Sequence, residues 1–199
     1  MKLSFDFSLN EIAPDSVVEP VWAPKIKRWS QLDQESFAVA EATHRCLNFL
    51  GKPDQLVILS SQGSAQTDFL FAHSKKISPS YFVHTLPNVR SLAFSSVTAW
   101  EGPVFCFSQG KHSLVRFLHE IAIVHHQANT LILNLTKVGP VYHCDFYKIG
   151  PALAATYVLE KNENESSEEF FLDDFSFRKE LMVNSQVSVR DDLIIRKLV

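Results

Sequence analysis

Three short apolar runs constrain this chain more than anything else in it: QLVILS at 55–60, VFCFS at 104–108 and TLILNLT at 130–136. Runs of this length and character read as strands buried on both faces, the kind found where helices cover a sheet from two sides. A fourth, ALAATYVLE at 152–160, reads the same way, and KLSFDF at 2–7 alternates apolar with polar as an opening strand. Helical stretches lie between them. One runs from Ser30 as N-cap to Leu50, with Phe37, Ala40, His44, Leu47 and Leu50 on one face and Gly51 and Pro53 as the stop. A second covers Thr67–His73. A third, Lys111–Gln127, is apolar almost all round and is expected at the centre of a domain. Strands alternating with helices predict an α/β layered fold.

The rest is punctuation. Ser78–Asn88 holds Pro79 and Pro87 and reads as loop, and Gly139-Pro140 reads as another. From residue 161 the composition changes to an acidic KNENESSEE, then EFFLDDFSF, then a closing DDLIIRKLV. The expected organisation is therefore one domain over 1–160 and an acidic linker with a C-terminal extension over 161–199.

Several function classes are excluded. The formal net charge is −3, from 19 basic and 22 acidic residues, and no basic run offsets it, so no nucleic-acid partner is expected. Cys46, Cys106 and Cys144 form no CxxC and read as free thiols of a reducing compartment. Asp6 and Glu11 interrupt any signal-like apolar stretch, and no run reaches the length of a membrane span, so the chain reads as cytoplasmic. No cofactor is expected, because neither GxGxxG nor GxxxxGK occurs. His119-Glu120 opens like a zinc-peptidase signature, but the required second histidine is Ile123, and His125-His126 are off that face, so no metal is expected. Cys106 lies mid-strand between two phenylalanines without a helix N-terminus or a cation to activate it. The acidic pairs Asp173-Asp174 and Asp191-Asp192 read as solvated ends or helix caps.

The order of segments carries more information than any one motif. SPSYFVHTLPN at 78–88 is followed by GPVFCFSQGKHSLVRFLHEIA at 102–122. RWSQLDQESFAVAEATHRCL and LVILSSQGSAQTDFL precede them, and GPALAATYVLE at 150–160 follows. In this order the segments resemble the N-terminal half of the β-ketoacyl synthases of the thiolase-like superfamily, over roughly residues 3–160. The resemblance implies a thiolase-like half fold, a layered mixed β-sheet with buried and flanking helices.

It also implies what is missing. The family's nucleophilic cysteine falls at the turn after the buried strand, where this chain has Lys111, or Gly110 if the turn slips by one. Without a thiolate there, no acyl-enzyme forms. The family's catalytic histidines belong to a C-terminal half for which a chain ending at Val199 has no room. Chain-length factors are relatives that lack the cysteine and pair with an active synthase. Short N-terminal-only subunits of this kind occur in aryl-polyene pathways, and this sequence looks most like one of those.

The resemblance therefore implies a non-catalytic subunit whose partner is an active β-ketoacyl-ACP synthase, with acyl carrier protein met only indirectly. In the superfamily the strand before the nucleophile pairs across the dimer. That places Val104, Phe105, Cys106, Phe107, Ser108, Gln109, Lys111 and His112 at the partner interface and on the acyl-tunnel wall. Two rivals stand beside this reading. One is an acyl-carrier-protein-binding or homodimeric module, for which Lys25, Lys27 and Arg28 are the compact basic group. The other is an independent enzyme using Cys106.

Overall fold

A computed structural model describes residues 2–14, 18–61, 65–73, 88–108, 110–123, 127–151, 155–161, 172–190 and 193–198. Its strands are β1 Lys2–Ser8, β2 Glu11–Ile12, β3 Gln55–Ser60, β4 Val104–Phe107, β5 Thr130–Val138, β6 Val141–Gly150, β7 Tyr157–Lys161, β8 Gln186–Arg190 and β9 Leu193–Lys197. Its helices are α1 Gln34–Arg45, α2 Leu47–Leu50, α3 Ala65–His73, α4 Val89–Thr98, α5 Ser113–Ile123 and α6 Asp174–Val183.

The strands form one nine-stranded sheet in the order β4-β3-β5-β6-β1-β7-β9-β8, with β2 added beside β6. β4, β3 and β5 run parallel, and every other pairing is antiparallel. The sheet is therefore mixed, as expected. Successive side chains of a strand point to opposite faces, and both faces of β3 are covered. Leu56 and Ile58 join α1 and α4 in one core. Val57 and Leu59 join Leu114, Val115, Leu118 and Ile121 of α5 and Phe177 and Leu181 of α6 in the other. Two helical layers enclose the sheet, which is why Leu56, Val57, Ile58 and Leu59 are apolar on both faces.

The helix expected over 30–50 starts later and is broken. Ser30 lies in a single 3₁₀ turn, Trp29–Gln31, and the N-cap is Asp33, whose carboxylate accepts from Ser36 N at 2.7 Å. Cys46 interrupts the helix, and α2 ends at Gly51 with φ 67°. The helix expected over 111–127 is a 3₁₀ turn at Gly110–His112 followed by α5, and 124–126 lie outside the described residues. It is not apolar all round: Arg116 and Glu120 are exposed, so α5 covers the sheet with one face only. His119, on its flank, accepts from Arg190 Nη1 of β8 at 2.8 Å. Most of the loop expected at 78–88 also lies outside the described residues.

β6 and α4 were not legible as elements in the sequence. β6 is joined to β5 by the two-residue turn Gly139-Pro140, in which Gly139 has φ 62°. In the 161–199 stretch, α6, β8 and β9 are ordered parts of the same architecture. β9 pairs with β7 and β8 with β9, while Phe177, Leu181, Val187, Val189, Leu193 and Ile195 are buried in the second core.

Candidate partner-binding edge

β4 is an edge. It pairs with β3 through Leu56↔Val104, Val57↔Phe105, Ile58↔Cys106 and Leu59↔Phe107, and on its outer side no strand lies against it among the described residues. An edge strand presents its outward backbone N–H and C=O groups in the pattern a further strand would pair with. The sequence suggested a strand buried on both faces, and the structure corrects this. Burial alternates along β4, with Phe105 45% and Phe107 41% exposed. The physical reason is position: an edge strand has a layer over one face and incomplete cover on the other.

Phe105 and Phe107 share a face, and between them and α5 lies an open groove of about 280 Å³ lined also by Gln55, Val57, Phe117, Glu120 and Ile121. The Phe107 and Phe117 rings lie 5.9 Å apart, tilted by 34°. The groove is apolar within, with Gln55 and Glu120 as its polar members. On the opposite face, Val104 and Cys106 pack against the α1–α4 core. Burial pushes the Cys106 thiol above its ordinary range, and the Arg90 guanidinium opposes this more weakly. That environment disfavours the thiolate a nucleophile needs. Arg90 is committed elsewhere: fully buried, it pairs with Glu35 and ties α4 to α1.

The remaining expected site residues separate from this groove. Ser108 is exposed just past β4, and Gln109 lies outside the described residues. Lys111 and His112 sit in the 3₁₀ turn, with Gly110 at φ 73°. Neither lines the groove, and His112 Nδ1 lies 3.1 Å from Leu172 O. Phe117, Glu120 and Ile121 are groove residues that sequence reasoning placed only in a central helix.

A second groove, of about 610 Å³, was not foreseen at all. Its residues include Glu11, Val138, His143, Phe175, Arg178, Met182 and Val183. Arg178 bridges Asp145 at 2.9 Å and Glu11 at 3.2 Å, and His143 stacks on Phe175 with ring centroids 5.9 Å apart. Burial, and secondarily Arg178, lower the His143 pKa. Every charge named here has a protein partner, so the cluster reads as a tie between β2, β6 and α6. Among the described residues no group of three His, Cys, Asp or Glu side chains is placed to hold a metal, and no helix is long and apolar enough to cross a membrane.

No protein-family profile matches the sequence, and no curated protein matches it either. Among solved structures, the chain superposes on one chain of a ketosynthase (ApeO) in complex with its chain length factor (ApeC) from Xenorhabdus doucetiae. The TM-score is 0.61 at 13% identity, covering 96% of this chain and 98% of that one. At this identity the likeness is one of fold. It bears out the thiolase-like layered architecture, and the superposition runs through the whole of both chains instead of a shared fragment.

Proposed function

We propose that this chain is a non-catalytic, chain-length-factor-like subunit that pairs through the β4 edge with an active β-ketoacyl-ACP synthase. In that complex the Phe105–Phe107–Phe117 groove forms part of the wall along which the partner's acyl chain grows. The observation that carries the reading is the coincidence of two features on one strand. Among the described residues β4 has no strand on its outer edge, and it displays two half-exposed phenylalanines beside an apolar groove. Completing the burial of those two rings contributes roughly 1 kcal/mol each, in addition to the new strand ladder. The fold likeness to a component of a ketosynthase–chain length factor complex supports the same assembly. Lys111 at the turn before α5, and a Cys106 thiol held against ionisation, support the absence of a nucleophile of its own.

Co-production with an active β-ketoacyl-ACP synthase, followed by affinity capture and size-exclusion chromatography, tests the reading. A stoichiometric heterocomplex that Phe107→Asp abolishes is the expected result. A monodisperse monomer that leaves the synthase's product unchanged overturns it. A homodimer broken by Phe107→Asp would instead support the rival homodimeric module.

A further inference from the structure

α5 is eleven residues long, and its first backbone N–H groups have no intrahelical acceptor. Those of Leu114 and Val115 converge on one side chain from far along the sequence. Leu114 N lies 3.1 Å from Oδ1 and from Oδ2 of Asp174, and Val115 N lies 3.3 Å from Oδ1. Asp174 is only 4% exposed and is not needed by its own helix, because Asp173 already caps α6. The nearest local candidate for capping α5, Ser113, spends its hydroxyl on Gly110 O at 2.8 Å.

A second observation points the same way. Asn134 of β5, also 4% exposed, lies close enough to Asp174 to draw its pKa down slightly, while its Oδ1 has no hydrogen-bond partner among the described residues. The two backbone donors at this helix N-terminus meet one buried carboxyl, with a side-chain amide nearby, in the manner in which such a terminus receives an anion.

We propose that the amino end of α5 is a carboxylate-binding cradle and that Asp174 is its tethered resident, closing it to carboxylates and oxyanions from outside. The cradle adjoins the turn that carries Lys111, so the place where an outside anion would meet this helix is already filled by the chain itself. The assignment does not depend on pairing through β4, which uses the other side of the helix.

The test is chemical rescue of the full chain. Asp174→Ala vacates the cradle, whereas Asp174→Asn refills it with an amide of the same size. The alanine variant should unfold at a lower temperature than wild type, and sodium acetate or formate should raise its midpoint saturably by a few degrees. Sodium chloride of equal ionic strength should not, and neither wild type nor Asp174→Asn should respond to the carboxylates. Identical responses of all three proteins to acetate and chloride overturn the assignment. A second measurement decides even if the alanine variant fails to fold. In wild type, the Leu114 and Val115 amide protons should move together in NMR spectra as the carboxyl titrates, with His112 followed separately, and should stay still in Asp174→Asn. Amides that stay still in wild type overturn it.

Discussion

Arg178 donates from Nε to Oδ2 of Asp145 at 2.9 Å, joining α6 to the centre of β6 inside the second groove. Asn10 N also donates to this carboxylate, at 2.7 Å, yet burial outweighs both and pushes Asp145 up to about 6. A pair of this kind contributes little net stability while intact but is costly to break, because one partner's removal leaves a bare charge indoors. Arg178→Met should therefore lower the unfolding free energy by about 3–5 kcal/mol, measured by urea denaturation. Asp145→Asn combined with Arg178→Met should lose clearly less than Arg178→Met alone. Equal losses would mean that the two side chains do not depend on each other.

Burial raises three carboxyls, Glu35, Asp145 and Asp174, and the last gives a pH dependence that one substitution isolates. Burial pushes Asp174 up to about 6, against the pull of the Leu114 and Val115 N–H groups. The folded state therefore holds its proton more tightly than the unfolded chain, whose carboxyl titrates near 3.8. The associated stability is fully present below about 3.8 and is lost as pH rises through about 6. His143, whose pKa is lowered by burial, acts oppositely, with stability present above 6.5 and lost on acidification. The comparison that isolates Asp174 is wild type against Asp174→Asn. Their difference in unfolding free energy should shift in favour of wild type by up to about 3 kcal/mol between pH 7.5 and pH 4. A difference that does not vary with pH would contradict the assignment.

Phe105 and Phe107 make the edge readable by solubility. Phe105→Ser with Phe107→Ser should leave the fold intact, since both side chains are only half covered. The double variant should stay in solution at concentrations at which the unpartnered wild-type chain aggregates. It should also fail to capture a ketosynthase. Capture undiminished by the double variant would move the interface away from β4.

Cys106 separates the subunit reading from an enzyme reading. With its thiol pushed up by burial, it should react with iodoacetamide at pH 7.5 more slowly than free cysteine. Intact-mass analysis after exposure to an acyl-thioester should show no label confined to it. Selective acylation of Cys106 would support the independent enzyme.

What the sequence disclosed follows from where each segment sits in the layers. QLVILS and TLILNLT lie between two helical layers, need apolar side chains both ways, and so were legible as strands. VYHCDFYKIG was not, although it is the longest strand, because it buries His143 and Asp145 among its apolar residues. Those polar residues are tolerated only because Arg178, some 33 positions away, meets Asp145, and a local window cannot contain that partner. VFCFS looked like its buried neighbours because alternation of exposure reflects what lies over the strand, not what is in it. Phe105 and Phe107, expected at a partner interface, lie half exposed on β4 beside the groove. Lys111 and His112 were assigned to that interface through the resemblance; they lie in the 3₁₀ turn after β4 and do not line the groove, with His112 Nδ1 3.1 Å from Leu172 O.

The place of β1 has a consequence for how the protein is made. This strand comprises residues 2–8, yet it lies between β6 and β7, with Ser4 opposite Gly150 and Lys2 opposite Glu160. Loop-closure entropy makes such distant pairings slow to form. During synthesis this strand leaves the ribosome long before either neighbour exists, since β6 begins only at Val141 and β7 at Tyr157. Until then its Leu3 and Phe5, both destined for the core, remain open to other chains. Nascent copies are thus vulnerable along β1 for as long as its two neighbours are unmade.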